Sequence, residues 1–548
     1  MIDGSMQPFA LTLDKFLVHA AKWHPQQEVV THRDMLASER VSYSDLHDRA
    51  NRISSVLYGL GIRRGDHVAT LAWNTQAHIE SLYAIVGMGA ICHTLNPRLS
   101  ATQSATMIAQ SEARILIVSA DLCPLAAEIL DGDSPVEKIL VIDGAAPTSS
   151  PVPLHELERL LTAAPNAPPW GGFDENLPSG LCFTSGTTGP PKGVTYTHRA
   201  SFLHTLRVLQ VDVMAISGRD TVLAVVPIFH ANAWGLPFAA PAVGAKLVLN
   251  GRRSDGATLE RLINAEGVTV AVGIATVWLG LVEHLEATGS KVPTLERVIV
   301  GGAPLPQALM DRIETCLGAR IQTSWGMTEL SPSGTVSASY EELRSASISG
   351  RPAVGVDLIL TDPAGHPLPQ QRGVEGHLRV RGASVVERYF GETQSATDDT
   401  GWFPTGDLAR LDDVGNLTIT GRSKDLIKSG GEWINPGQIE VLVGAIPQVS
   451  LAAVIGRQDA KWGERPILIV QMRDQQTISD EVLLGPLKGR LPSWWMPDAI
   501  IRLDQMPLTS TGKIDRLQLR LVFGAAGITS PPTGASGSAE PYPESLQP

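Results

Sequence analysis

Short runs of β-branched and leucine residues punctuate the chain: Ile115-Leu116-Ile117-Val118, Lys138-Ile139-Leu140-Val141-Ile142, Thr221-Val222-Leu223-Ala224-Val225-Val226, Lys246-Leu247-Val248-Leu249 and Arg297-Val298-Ile299-Val300. None of them has a face suited to water, and each has helical segments on either side. Strands covered on both faces and separated by helices belong to largely parallel sheets, so an α/β fold is expected. Asp66-His67-Val68-Ala69-Thr70-Leu71-Ala72 reads as another such strand, followed by an apolar helix from His78 to Gly89. Nearer the N-terminus, Phe16-Leu17, Ala20-Ala21 and then Leu46, Ala50, Ile53 and Leu57 have helical spacing. Glu28-Val29-Val30-Thr31 and Val41-Ser42-Tyr43 read as short strands between those helices.

At 548 residues the chain exceeds what one hydrophobic core serves, so at least two domains are expected. Past Arg351 the texture changes to alternating strands broken by Gly, Pro and Asp, such as Val356-Asp357-Leu358-Ile359-Leu360 and Gly376-His377-Leu378-Arg379-Val380. Beyond Gly421-Arg422-Ser423-Lys424-Asp425 lies a further region of about a hundred residues, the size of a small domain. The tail, residues 527–548, is rich in Pro, Ser, Gly and Ala and is expected to be disordered. The formal charge of −12 repels nucleic acid, so any site for an anionic substrate must be locally basic. Lys192, Arg422, Lys424, Lys428 and Lys513 could supply that charge. Cys92, Cys123, Cys182 and Cys316 show no metal-ligand spacing and read as reduced thiols. The first nine residues lack a basic and apolar leader pattern, and no stretch is apolar for long enough to span a membrane. A cytoplasmic enzyme is expected.

The run Phe183-Thr184-Ser185-Gly186-Thr187-Thr188-Gly189-Pro190-Pro191-Lys192-Gly193 suits a polyphosphate. Glycines let backbone N–H groups approach an anion, the hydroxyls of Thr184, Ser185, Thr187 and Thr188 add donors, and Lys192 adds a compact positive charge. It is not a Walker A loop, because Lys192 follows Pro191 and precedes Gly193 rather than a Ser or Thr. Composition alone would also allow a plain surface loop. The ordered string, however, resembles the phosphate loop of the adenylate-forming superfamily, which includes acyl-CoA synthetases, luciferases and the adenylation domains of peptide synthetases.

Further motifs carry the resemblance, which runs from about residue 12 to about residue 525. Gly301-Gly302-Ala303-Pro304 and Ser324-Trp325-Gly326-Met327-Thr328-Glu329 resemble segments that border the adenine and α-phosphate, with Glu329 and Thr184 implied as ligands of Mg²⁺. Gly401-Trp402-Phe403-Pro404-Thr405-Gly406-Asp407 resembles the segment whose Asp accepts both ribose hydroxyls, a match of a bidentate acceptor to a vicinal diol. Gly421-Arg422-Ser423-Lys424-Asp425 resembles the interdomain hinge, with Arg422 on ribose or phosphate and Lys424 as the pivot. Thr509-Ser510-Thr511-Gly512-Lys513 resembles the loop that carries the adenylation lysine, Lys513. Lys428-Ser429-Gly430-Gly431-Glu432-Trp433 resembles the stretch that lines the pantetheine tunnel once the C-terminal domain has turned. Taken singly, each could be a helix cap, a turn or a solvated charged linker.

The implied architecture is a large N-terminal unit, residues 1–421, of two α/β subdomains and a β-rich subdomain, with a small mobile α+β domain at 422–526. Val226-Pro227-Ile228-Phe229-His230-Ala231-Asn232-Ala233-Trp234-Gly235 resembles the acid-binding segment of bacterial medium- and long-chain fatty acyl-CoA synthetases. The resemblance places His230 beside the reacting carboxyl, Trp234 as a gate to an apolar tunnel and Gly302 near the substrate. His93-Thr94-Leu95-Asn96-Pro97-Arg98-Leu99 belongs to the same likeness. The implied reaction is a two-step ligation in which ATP activates a hydrophobic carboxylic acid as acyl-AMP and CoA then takes the acyl group. Lys513, Lys192, His230 and Glu329 are the implied catalytic residues. A pathway-dedicated ligase for an unusual bulky acid, active in both half-reactions or in one, and a non-catalytic acyl-adenylate-binding module are the rival readings. A homodimer is allowed for, with the oligomeric state left open.

Overall fold

A computed structural model describes residues 4–33, 38–162, 164, 168–184, 191–302, 305–341, 344–473, 476, 478–509 and 513–525. The apolar runs form strands buried along most of their length, and these assemble into two mainly parallel sheets. One has nine strands in the order Arg351–Pro352, Ser333–Val336, Arg320–Gly326, Arg297–Gly301, Val270–Ile274, Thr221–Ala224, Lys246–Leu249, Glu28–Thr31 and Glu39–Ser42. Neighbours from Arg320–Gly326 through Glu28–Thr31 are parallel. The other has seven strands: Leu154–Glu156, Lys138–Ile142, Ile115–Ser119, His67–Leu71, Ile91–Thr94, Pro178–Phe183 and Gly193–Thr197, antiparallel only at the last pair. Helix Gln76–Gly87 contacts Glu28–Thr31 of the first sheet and Ile91–Thr94 of the second, and all 12 of its residues are buried. Its polar side chains are met by protein rather than water: Gln76 Nε2 donates to Glu39 Oε1 at 3.0 Å and Glu80 pairs with Arg49 at 2.8 Å.

Two smaller sheets follow. Val356–Thr361, Glu375–Gly382, Phe403–Leu411 and Leu417–Arg422 form an antiparallel meander with its own apolar layer. After it, Val449–Asp459 and Gly463–Met472 form a hairpin, and Ala499–Leu503 and Ile427–Ser429 both pair with Gly463–Met472 on its edge away from Val449–Asp459. The helices Pro436–Gly444 and Arg516–Phe523 cover this C-terminal sheet. Cys92, Cys123 and Cys182 are buried and all four cysteines are free thiols. Among the described residues no helix is long and apolar enough to cross a membrane.

Local capping moves several predicted boundaries. Tyr43, expected to end a strand, opens the helix Tyr43–Gly59, because the Ser42 side chain accepts the Asp45 N–H at 3.1 Å and so caps the helix one residue earlier. The Tyr43 hydroxyl instead donates to the Ala245 carbonyl at 2.6 Å. The helix expected from His78 starts at Gln76, capped by Thr75. Val225 and Val226 lie beyond the strand Thr221–Ala224, both donating to the Val272 carbonyl, at 3.1 and 3.2 Å. That shared acceptor turns the chain off the sheet edge.

Burial holds several histidines neutral. Leu13 N–H donates to His198 Nδ1 and Ser333 N–H to His204 Nε2, and a ring nitrogen that accepts a hydrogen bond carries no proton. Burial lowers His78 and His198 to about 4 and His93 to about 3, and puts His204 well below its ordinary value of 6.5. The unfolded chain therefore binds more protons than the folded one below pH 6.5, so stability rises with pH through that range and falls on acidification. The melting temperature is expected to be level above about pH 7 and to drop steeply between about pH 6.5 and 4. A thermal melt at graded pH checks this; a flat profile would mean that these rings are not held neutral.

Candidate active site

The strands of both sheets deliver their C-terminal ends to one cleft, the usual ligand position in open parallel sheets. Phe229 and His230 follow Thr221–Ala224, and Ile274 and Gly302 stand at the ends of the next two strands. Ser324 to Thr328 descend from Arg320–Gly326, with the Ser324 hydroxyl donating to the Val300 carbonyl at 3.0 Å. Lys513 enters this cleft from the C-terminal region and lines it together with His230, Trp234 and Gly302.

Thr184 and Lys192 stand at the two ends of the hydroxyl-rich loop and are tied together. Thr184 N–H donates to the Lys192 carbonyl at 2.9 Å, and Lys192 N–H reaches Thr184 Oγ1 at 3.4 Å. The Lys192 ammonium lies 4.8 Å from the centre of the Tyr389 ring, a cation–π distance. Tyr389 donates its hydroxyl to Glu329 Oε1 at 2.9 Å, so one tyrosine bridges the lysine of the loop and the buried glutamate. Burial first, then the Glu329 charge, pushes the Tyr389 hydroxyl above its usual range and keeps it a donor. Val386 N–H donates to the Glu329 carbonyl at 2.8 Å and Phe390 N–H to the Gly193 carbonyl at 2.8 Å, which fixes this segment between the two sites.

Asp407 is buried, accepts the Trp325 indole N–H at 2.9 Å and pairs with Arg422 Nε at 2.8 Å. Burial raises its carboxyl above the ordinary value, opposed by Arg422 and the indole hydrogen bond. Lys513 keeps accessible surface facing the cleft while protein atoms crowd around it. This crowding lowers its ammonium from the usual lysine value, helped by Arg422 and opposed by Asp407 and Glu329. Lysine, arginine and two carboxylates thus share one electrostatic neighbourhood. His230 is lowered to about 3 by burial and by the nearby charges of Arg98 and Lys513, and so is neutral at physiological pH. Its Nε2 atom is buried and has no hydrogen-bond partner among the described residues.

Trp234 ends an unusual turn. Ala231, Asn232, Ala233 and Trp234 have φ of 44, 53, 48 and 53°, one left-handed helical turn, which costs L-residues roughly 1–2 kcal/mol each. The indole rests over Gly301, where an added Cβ would lie 2.9 Å from Trp234 Cη2 and 2.3 Å from Ser324 Oγ. Gly301→Ala is therefore expected to lower stability by about 1–3 kcal/mol, the usual cost of overpacking. Adding Trp234→Ala should recover part of that loss in denaturant unfolding; strictly additive losses would deny the contact.

Residues 17–390 match the family described as AMP-binding enzyme, and residues 438–513 match the AMP-binding enzyme C-terminal domain. The chain belongs to the AMP-binding enzyme family. It is 38% identical over 533 residues to the medium-chain-fatty-acid–CoA ligase of Ectopseudomonas oleovorans, covering 95% of this chain and 97% of that one. It is also 38% identical over 531 residues to the 3-methylmercaptopropionyl-CoA ligase of Ruegeria lacuscaerulensis, covering 95% and 98%. The crystal structure of ATP-bound MatB from Rhodopseudomonas palustris superposes with a TM-score of 0.81 at 26% identity, covering 93% of this chain and 98% of that one.

In this AMP-binding enzyme the cleft lining holds His230, Trp234, Gly302, Ser324, Trp325, Gly326, Met327, Thr328 and Lys513 of the residues read from sequence, and Thr184, Lys192, Glu329, Asp407, Arg422 and Lys424 are not part of it. Lys428, Gly430, Gly431, Glu432 and Trp433 sit on the hairpin Ile427–Ser429 and Glu432–Ile434, apart from the cleft lining, with Trp433 53% exposed. Ser185, Gly186, Thr187, Thr188, Gly189, Ala303, Pro304 and the tail 527–548 lie outside the described residues. Tyr389 was missed: a lone Tyr before Phe390 carries no local signal, and its role rests on contacts with residues 60 positions or more away. Arg98 was quoted in a motif, yet its charge beside His230 appears only in three dimensions. The family implies a magnesium ion, and the residues fit one. Among the described residues no cluster of three or more His, Cys, Asp or Glu forms a metal cage, and an ion held by one carboxylate and substrate phosphates needs none. Glu329 supplies a buried hard oxygen donor and Thr184 a hydroxyl.

Proposed function

We propose that the protein is an ATP-dependent acyl-CoA ligase for a hydrophobic carboxylic acid, of the medium- or long-chain fatty type. The observation that carries this reading is the entry of Lys513 into the cleft that holds His230, Trp234 and Gly302, beside Asp407, Arg422 and Glu329. In the first half-reaction the acid's carboxylate attacks the α-phosphorus of ATP, forming acyl-AMP and releasing pyrophosphate. Negative charge gathers on the phosphate oxygens as it proceeds, and Lys513 and Lys192 stabilise it. Magnesium, held by Glu329, Thr184 and the phosphates, would neutralise further charge there. Asp407 offers its carboxylate to the ribose diol, steered by Trp325 and Arg422. Neutral His230 donates to or accepts from the acid's carboxyl without adding charge, which suits its unpartnered Nε2.

The second half-reaction needs no protein nucleophile, because acyl-AMP is already an activated anhydride. A turn at Lys424 would withdraw Lys513 and bring residues 428–433 to the cleft, where their glycines leave room for the pantetheine arm of CoA. The likeness to the 3-methylmercaptopropionyl-CoA ligase supports a short thioether acid as a second reading. Acid-dependent exchange of labelled pyrophosphate into ATP without CoA tests the first half-reaction. Exchange stimulated by acids of graded chain length is expected, with the thioether acid in the same panel. No exchange with any of them would contradict adenylation of this acid class.

A further inference from the structure

The segment just past the pivot is gripped by charges from the element that follows Lys513. Asp425 closes the short turn Ser423–Asp425, and its side chain is only 11% exposed. Its Oδ1 accepts from Arg520 Nη2 at 2.6 Å, and its Oδ2 lies 3.9 Å from Arg516 Nε. Arg516 also donates to Glu440 Oε2 at 2.5 Å, and Glu440 Oε1 accepts the Val454 N–H at 2.8 Å, so the chain of contacts ends on the central hairpin of the domain. Both arginines belong to helix Arg516–Phe523, which is capped by Asp515 accepting the Gln518 N–H at 3.0 Å. The helix is anchored below by buried Leu519 and Phe523.

Lys513 stands three positions before the first residue of this helix. Thr509 N–H donates to the Lys513 carbonyl at 2.7 Å, Lys513 N–H reaches Thr509 Oγ1 at 3.2 Å, and Leu508 bridges Ile514. The lysine therefore has a stiff stem whose far side is the arginine helix. We propose that Arg516 and Arg520 are positioning residues for Lys513: by holding Asp425 they join the residue next to the pivot and the stem of the lysine loop into one rigid piece. Rotation at Lys424 then reaches Lys513 without slack, and the ammonium returns to the same place in the cleft on every cycle. Small misplacements of a reacting group are costly, about a hundredfold for 1 Å, so this stiffness has a kinetic consequence.

The inference rests on the reading of Lys513 as the adenylation lysine, and the test separates the two. Asp425→Asn and Arg520→Gln would be assayed beside Lys513→Ala, measuring single-turnover acyl-AMP formation and, separately, thioester formation from supplied acyl-AMP and CoA. Arg520 lies at the surface, with 33% of its side chain exposed, so its variant will fold even if the Asp425 variant does not. The expected result is an adenylation rate lowered about tenfold in Asp425→Asn and Arg520→Gln, with KM for acid and ATP and the thioester step within about twofold of the parent. Asp425→Glu, which restores the charge, should recover most of the rate. Equal losses in both half-reactions, or none in either, would overturn the positioning role. If Lys513→Ala itself leaves adenylation intact, the reading of Lys513 falls and this inference falls with it.

Discussion

Lys513→Ala is expected to slow acyl-AMP formation by about a hundred- to a thousandfold while leaving thioester formation from supplied acyl-AMP nearly unchanged. The asymmetry follows from geometry. In this structure Lys513 lines the cleft beside Asp407, Glu329 and Arg422, whereas the glycine turn read as the CoA segment lies apart from the lining. A lysine that serves only the first step is dispensable once acyl-AMP is provided. Single-turnover assays of each half-reaction decide the matter, and matching losses in both would mean that Lys513 supports the cleft generally.

Glu329→Gln should reduce acyl-AMP formation by about a hundredfold and raise the Mg²⁺ concentration needed for half-maximal rate, with the melting temperature nearly unchanged. The glutamine keeps the shape and still offers an oxygen to the Tyr389 hydroxyl, which donates to Glu329 Oε1 at 2.9 Å in the parent. What it removes is the negative charge in a buried position. A magnesium titration of the adenylation rate is the direct measurement. Full activity with an unchanged magnesium requirement would show that Glu329 serves only to hold Tyr389.

Much of the fold was legible because its strands are buried on both faces and write long apolar runs, as Val298, Ile299 and Val300 do. The run that ends at Lys192 stands out in the sequence because it crowds glycines and hydroxyls together, as an anion site would demand, while residues 185–190 lie outside the described residues. Boundaries set by one side chain were less so: Ser42 caps a helix that starts at Tyr43, the residue that the β-branched Val41 and an aromatic side chain assign to the strand. The left-handed turn at Ala231 to Trp234 had no local signal either, since of its residues only Asn is at home there. Tyr389 and Arg98 were hidden for a different reason. Their contributions come from charge and hydrogen bonding across the cleft, which no spacing along the chain encodes. The same holds for the cluster at Asp425, whose partners Arg516 and Arg520 are 91 and 95 positions from it along the chain.

The most direct test of the two-step ligase is mass spectrometry of the products formed from Mg·ATP and a panel of carboxylic acids, with and without CoA. Acyl-AMP and pyrophosphate without CoA, replaced by acyl-CoA and AMP with it, are the predicted result, and the acid consumed identifies the substrate. Acyl-AMP that persists unchanged when CoA is added, or the absence of both products across the panel, would contradict it.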